Sequence, residues 1–244
     1  RLRLSSLEPW DVTPALLERF SDTRLLPHLH LPLQSGSDTT LRRMARRITS
    51  SAFAELVATA RQRIPGLAIS TDLMVGFPGE TEHEHERSLA FARTLAFSRV
   101  HVFRYSSRPG TAASRMSGQL PGAVLQRRAR EALELAARLE AAFNRGLVGS
   151  RCHVLLEEQT SGPGDLRWSG LTPTYVRVLA SAPTGLDLEN RIVEVEITGV
   201  VEGALEGHVM PAVPEATPAS RLELPIYQPT RGTDGARDRL HALK

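Results

Sequence analysis

Two short segments carry residue types suited to holding a small polar ligand: His30-Leu-Pro-Leu-Gln-Ser-Gly-Ser37 and Thr71-Asp-Leu-Met-Val-Gly-Phe-Pro-Gly-Glu-Thr81. Each is an apolar run that breaks into small, polar and glycine residues, then feeds a helical pattern. Gly36, Gly76 and Gly79 permit close backbone approach to a ligand. Gln34, Ser35, Asp72 and Glu80 stand beside them with hydrogen-bonding groups. In β/α architectures such breaks fall at the carboxyl ends of strands, where ligands bind. Taken singly, each segment reads equally well as an ordinary capped strand-to-helix turn. His83-Glu-His85 offers two imidazoles at i, i+2. These point to different faces of a helix and no third ligand stands nearby, so the pair is not read as a metal site.

The elements that must position these groups follow from periodicity and punctuation. Residues 1–6 alternate Arg and Leu and read as a strand. Thr13-Pro14 caps a helix over Ala15–Ser21. Leu29–Leu33 reads as a short strand made irregular by Pro32. Helices are expected over Thr39–Arg46, Ala52–Arg63 and Glu82–Leu95, and strands over Ala68–Val75 and Arg99–Tyr105. That β-α alternation of four strands predicts a parallel sheet with right-handed crossovers. A sheet of about four strands would keep an open edge, as in part of a barrel. Residues 121–148 form a long amphipathic helix. From Ser150 to Pro211 the pattern turns to short alternating strands between Gly, Pro and Asp turns, which suggests a five-stranded barrel. Residues 212–244 are Pro-, Thr- and Gly-rich and read as a disordered tail. The fold class is therefore α/β: a partial β/α barrel (1–120), a connecting helix (121–147) and a small all-β barrel (148–211).

Composition sets further bounds. No apolar stretch approaches the ~20 residues of a membrane span, so no membrane partner is expected. One cysteine, Cys152, excludes an internal disulfide and fits a reducing, cytoplasmic setting. Its plainest reading is a half-buried small hydrophobe. The first ~146 residues carry an Arg excess, whereas the stretch from ~147 to ~210 is acidic by about five charges. The basic half favours phosphate; the acidic half is a mild argument against a strong RNA clamp there.

Four stretches in order, Arg1–Asp11, His30–Ser37, Thr71–Thr81 and His101–Thr111, resemble the radical S-adenosylmethionine methylthiotransferases. Ser5-Ser6-Leu7-Glu8-Pro9-Trp10 is similar to the Ser-Ser-Ile-Glu-Pro-Trp stretch of the branch acting on threonylcarbamoyladenosine in tRNA. The isopentenyladenosine branch typically has a Thr-Thr-Ser-His-Pro-like stretch there. The resemblance covers roughly residues 1–210. It implies a radical-SAM partial barrel followed by a TRAM-like barrel. It also implies S-adenosylmethionine and 4Fe-4S clusters as cofactors, and the tRNA anticodon stem-loop as partner. The family holds its cluster with a Cys-x3-Cys-x2-Cys loop, which this chain lacks. One thiolate cannot hold a four-iron cluster. The chain is thus expected to be the carboxyl-terminal part of a longer enzyme, with cluster ligands elsewhere and no radical activity alone.

Residue by residue, the resemblance implies that Ser6 and Glu8 meet ribose hydroxyls or the methionine ammonium, which a carboxylate suits. His30, Gln34, Ser35 and Asp72 would face the ligand. Arg46, in Met44-Ala-Arg-Arg-Ile-Thr49, would pair with the methionine carboxylate; Arg42, Arg43 and Arg47 read as surface charge. Val75, Gly76 and Phe77 match the adenine-contacting turn. Arg108, in the loop after the last strand, would meet RNA phosphate. On the trailing barrel Arg151, Arg167, Trp168, Tyr175 and Arg177 are the RNA candidates; the alternative places Trp168 and Tyr175 in a structural core. The implied reaction puts a methylthio group on C2 of N6-threonylcarbamoyladenosine at position 37. Rivals are a sister enzyme acting on a ribosomal-protein aspartate and a non-catalytic RNA-binding remnant. Oligomeric state is not legible.

Overall fold

The computed structural model describes residues 1–161, 166–183, 185–201 and 203–210; the expected tail at 212–244 lies outside them. In chain order the elements are α1 (Pro14–Glu18), β1 (His28–His30), α2 (Asp38–Arg43), α3 (Ser50–Arg63), β2 (Ala68–Val75), α4 (Glu82–Leu95), β3 (Arg99–Arg104) and α5 (Gly122–Arg145). There follow β4 (Arg151–Ser161), β5 (Leu166–Leu171), β6 (Arg177–Ser181), β7 (Arg191–Val201) and β8 (Ala204–Val209).

The parallel sheet has the order β1-β2-β3. Ser70 lies opposite His30 on one side and Arg99 on the other, and Asp72 lies opposite His101. Period-2 alternation divides the faces. Leu29, Ile69, Leu73, Val75 and Val100 join one buried cluster with Phe53, Val57 and Ala60 of α3, Ala92 and Leu95 of α4, and Leu135 and Ala136 of α5. The opposite, inner face carries His28 and His30, Ser70 and Asp72, then Arg99 and His101. Helices α1, α3 and α4 begin where side chains satisfy orphan backbone donors. Thr13, Thr49 and Thr81 accept from Leu16, Ala52 and Glu84, and Thr81 with Glu84 completes a capping box.

Three expectations need correction. Residues 1–6 are not a strand. Leu2 makes a single parallel bridge to Leu25, Ser6 turns the chain at φ 55°, and Arg1 and Arg3 reach into the trailing barrel, onto the carbonyls of His153 and Thr172. The sheet therefore has three strands, not four. The helix expected to reach Arg46 ends at Arg43, because Ala45 adopts φ 55°, and this swings Arg46 off the helix. Strand β1 stops at His30 because Pro32 has no N–H for the ladder. Thr71 fills the gap: its hydroxyl donates to Leu31 O (2.7 Å) and accepts from Leu33 N (3.0 Å). Pairing resumes at Gln34, which bridges to Leu73.

The five trailing strands close into a barrel of order β4-β5-β6-β8-β7, antiparallel except for the β6–β8 pair. Val154, Leu156, Trp168, Val178, Val195, Ile197 and Leu205 fill it. The barrel is seated on the half-barrel by named contacts. Arg3 stacks on the Tyr175 ring at 4.2 Å, and Tyr175 meets His28 edge-on at 5.4 Å. Asn144 Nδ2 donates to Gly203 O.

Candidate functional site

At the carboxyl end of β1, the sharp exit from α2 delivers Arg46 to Glu8. Arg46 Nη2 lies 2.5 Å from Glu8 Oε2, and Nη1 lies 3.2 Å from Oε1. Nη2 also donates to Pro32 O, and the guanidinium lies 5.2 Å from the Trp10 ring centroid. This forked pair is part-buried and sits beside an exposed indole. An ammonium could replace Arg46 on Glu8 while a carboxylate replaces Glu8 on Arg46. A zwitterionic amino-acid group is the ligand chemistry that satisfies both at once.

The turn after β2 is held from beneath. Gly76 sits at φ 79°, and a Cβ there would run into Leu125. Its N–H donates to Glu80 Oε2 at 2.7 Å. The same oxygen accepts from Arg128 Nη1 at 2.7 Å, and Arg128 also donates to Glu80 O. Both side chains are almost fully buried, at 4% and 1% exposure. Phe77 is buried and meets Tyr105 edge-on at 5.5 Å. Val75 is buried in the core and its carbonyl accepts from Tyr105 N. The Gly76 N–H and the Val75 side chain are therefore taken by the scaffold. Ser35 is likewise buried, and its hydroxyl is bonded to that of Ser88. Gln34 stands at the strand end with φ 67°. Ser6 is exposed.

The inner face joins His30 and Asp72 in a longer chain of polar contacts. His30 Nε2 lies 3.3 Å from Asp72 Oδ2. His30 Nδ1 lies 3.0 Å from Ser70 Oγ, which lies 3.2 Å from His28 Nε2. His101 stands 5.7 Å from His30, ring to ring. Burial, reinforced by Arg3, His30, Arg99 and His101, pushes the His28 imidazole down to about 4. Burial also lowers His101, against the opposing pull of Asp72. Below these groups a cavity of about 390 Å³ opens between sheet and barrel. It is lined by Ser5, Ser6, His28, His101, Asn144 and Tyr175, among others.

The buried neutral His28 makes stability depend on pH. Its folded-state value of about 4 lies below the ordinary 6.5, so the unfolded chain binds more protons between those values. The contribution is complete above pH 6.5 and is lost as pH falls towards 4. It amounts to on the order of 3 kcal/mol. Urea midpoints at pH 7 and pH 4.5 should differ by more in the parent chain than in His28→Gln; equal differences would remove His28 as the cause.

The RNA candidates differ in exposure and in the partners they already hold. Arg108 and Arg151 are exposed. Arg167 pairs with Glu206 at 2.9 Å, and Arg177 donates to Ser169 Oγ and lies 3.6 Å from Glu157. Trp168 is 6% exposed in the barrel core, so it is not available to stack on a base. Tyr175 is half-exposed but its ring is engaged by Arg3 and His28. Arg43, read as surface charge, bonds Glu84 at 2.5 Å inside the capping box. His85 is buried against Glu131 (2.8 Å), whereas His83 is exposed. Among the described residues no cluster of His, Cys, Asp or Glu is placed to hold a metal. Cys152 is half-buried on β4, so the chain does not fit an iron–sulfur cluster.

Sequence reasoning missed Arg128, His28, Ser70 and His101. Polar residues two apart in three strands (28/30, 70/72, 99/101) were the available signal for the inner face. Arg128 sits inside an amphipathic stripe, and nothing local marks it as buried.

A family model described as the radical SAM superfamily matches residues 3–92. A tRNA-2-methylthio-N(6)-dimethylallyladenosine synthase from Tropheryma whipplei is 39% identical over 176 residues, covering 71% of this chain and 37% of that protein. One of the same name from Moorella thermoacetica is 37% identical over 211 residues, covering 86% and 47%. The threonylcarbamoyladenosine tRNA methylthiotransferase MtaB of Thermotoga maritima is 41% identical over 158 residues, covering 64% and 36%. The chain thus spans less than half the length of these relatives. Among solved structures, coproporphyrinogen III oxidase HemN from Escherichia coli aligns with a TM-score of 0.49 at 16% identity, covering 70% of this chain and 46% of that one.

Proposed function

Because this chain belongs to the radical S-adenosylmethionine methylthiotransferase family, we propose that it is the cofactor- and RNA-facing part of an enzyme that methylthiolates an N6-modified adenosine in tRNA. The observation that carries this reading is the Glu8–Arg46 pair at the end of β1, whose forked geometry complements a zwitterionic amino-acid moiety. S-adenosylmethionine, when bound, supplies the radical and methyl chemistry. Glu8 would take its ammonium or ribose hydroxyls and Arg46 its carboxylate. Phe77 and the Gly76 carbonyl would border its adenine. The cluster that cleaves it requires thiolates beyond Cys152, so the radical step belongs to a longer polypeptide.

We assign C2 of N6-threonylcarbamoyladenosine at position 37 as the target, on the Ser5–Trp10 stretch. A second reading, a dimethylallyl-type adenosine, is favoured by the names of the Tropheryma and Moorella relatives. Mass analysis of tRNA nucleosides, from cells whose only methylthiotransferase is the longer enzyme, separates the two. A methylthio-threonylcarbamoyl product supports the first; a methylthio-dimethylallyl product replaces it with the second. The trailing barrel would act as a TRAM-like domain and help seat the anticodon stem-loop through the exposed Arg151, with Arg108 of the half-barrel loop as a further phosphate contact.

Glu8→Gln and Arg46→Ala each remove one charge-assisted contact, about 1.5–3 kcal/mol. Affinity for S-adenosylmethionine should fall by roughly 10–100-fold in either variant. If titration calorimetry finds both unchanged, the pair is a scaffold salt bridge and the cofactor lies elsewhere.

A further inference from the structure

The inner face of the parallel sheet changes character towards the carboxyl ends of its strands. Strand periodicity puts Met74 and Phe103 on the same face as Asp72 and His101. The register sets Met74 opposite Phe103, one rung beyond the Asp72–His101 pair on that face. The alternate residues Leu73, Val75 and Val100 are buried in the core cluster, and Val102 packs against it. Phe103 therefore projects away from the core, and it is 50% exposed. A single exposed apolar side chain is ordinary; the groups around this one are not.

Three observations fit one occupant. Asp72 and His101 stand beside Phe103, so a planar ring lying on the phenyl face has a carboxylate acceptor and an imidazole near its edge. Arg104 and Arg108 follow Phe103 in the chain. Both are exposed and neither holds a salt bridge among the described residues, whereas Arg99 on the same strand is paired with Glu140. An aromatic platform next to uncommitted guanidinium groups is the combination that holds an unpaired nucleotide, ring on base and cation on phosphate. Lastly, Val75 lies opposite Arg104 and its carbonyl accepts from Tyr105 N. Phe103 is thus one strand away from the Gly76–Phe77 turn that would border the cofactor.

We propose that Phe103 is the platform on which the adenine of the target nucleotide stacks, with Asp72 and His101 at the base edge and Arg104 and Arg108 at the flanking phosphates. The inference rests on the reading of this chain as the cofactor- and RNA-facing part of a tRNA-modifying enzyme, and adds to it the place of the reacting base. Stacking accepts the π face of any base, so Phe103 supplies affinity. The Asp72 carboxylate only accepts hydrogen bonds, which suits the N6–H of an N6-substituted adenine. Phe103 touches the base and moves no proton.

The test is a cycle between Phe103 and the base at position 37, read by fluorescence anisotropy of labelled anticodon stem-loops on the longer enzyme. The stem-loops carry N6-threonylcarbamoyladenosine or N6-dimethylallyladenosine at that position, or no base there. Phe103→Ala should weaken binding of the base-bearing stem-loop by roughly 5–100-fold, the range for one lost stack. On the abasic stem-loop the same substitution should change affinity by less than about twofold, which a merely structural role would not reproduce. Phe103→Tyr keeps the ring and should bind like the parent. An equal loss on base-bearing and abasic stem-loops, or no loss on either, overturns the platform. A fall in S-adenosylmethionine affinity without an RNA effect makes Phe103 a cofactor wall and overturns it too. If the longer enzyme with Phe103 intact does not bind the stem-loop, the RNA-facing reading falls and takes this proposal with it. Binding that ignores Phe103 removes this proposal alone.

Discussion

Arg128→Ala should be the most destabilising single change in the half-barrel, by about 3–5 kcal/mol, because it leaves Glu80 as a buried unpaired carboxylate. Glu80 and Arg128 are nearly inaccessible, and Glu80 Oε2 also accepts the Gly76 N–H. Truncation therefore frees both the ion pair and the turn that ends β2. The effect is read from the urea midpoint of the parent and variant chains. A companion change sharpens the argument. Glu80→Gln with Arg128→Met removes both charges but keeps a carbonyl oxygen for Gly76, so most of the stability should return. Glu80→Leu with Arg128→Met removes that acceptor as well and should recover less, by about 1–3 kcal/mol for the stranded N–H. A loss below about 1 kcal/mol in Arg128→Ala would mean that water reaches the pair, contrary to its burial.

Trp168→Ala should cost about 3–5 kcal/mol, the range for emptying a large aromatic from a core. Trp168 lies 6% exposed among Val154, Leu156, Val178 and Ile197 inside the closed barrel. The small barrel has few other large side chains to close over the void. Thermal unfolding followed by tryptophan fluorescence of Trp10 would miss the event, so circular dichroism of the β signal is the appropriate readout. If Trp168→Ala weakens RNA binding in the longer enzyme with the barrel still folded, the residue is a stacking platform and its burial is misread. Tyr175→Ala separates the remaining roles. It removes the Arg3 and His28 ring contacts without entering the barrel core, and should loosen the seat of the barrel more than its fold.

The elements were largely legible because local physics writes them into the chain. Thr49 and Thr81 at helix entries, the largely apolar stretch Ala68–Val75 and the alternation after Ser150 each depend on neighbours within a few residues. Strand β2 and helix α4 accordingly lie where periodicity puts them, and the five trailing strands close as expected. The four stretches that resemble the family were legible through their order, which carried the family assignment. What local pattern left undecided is how distant side chains share a partner. Arg46 meets Glu8 across 38 positions only because Ala45 turns out of the helix at positive φ. Arg128 reaches Glu80 across 48 positions because α5 lies against the β2 turn, and an amphipathic stripe cannot say which of its arginines is buried. Trp168 is inside the barrel because closure gives every strand an interior, whereas its sequence neighbourhood suits a surface aromatic as well.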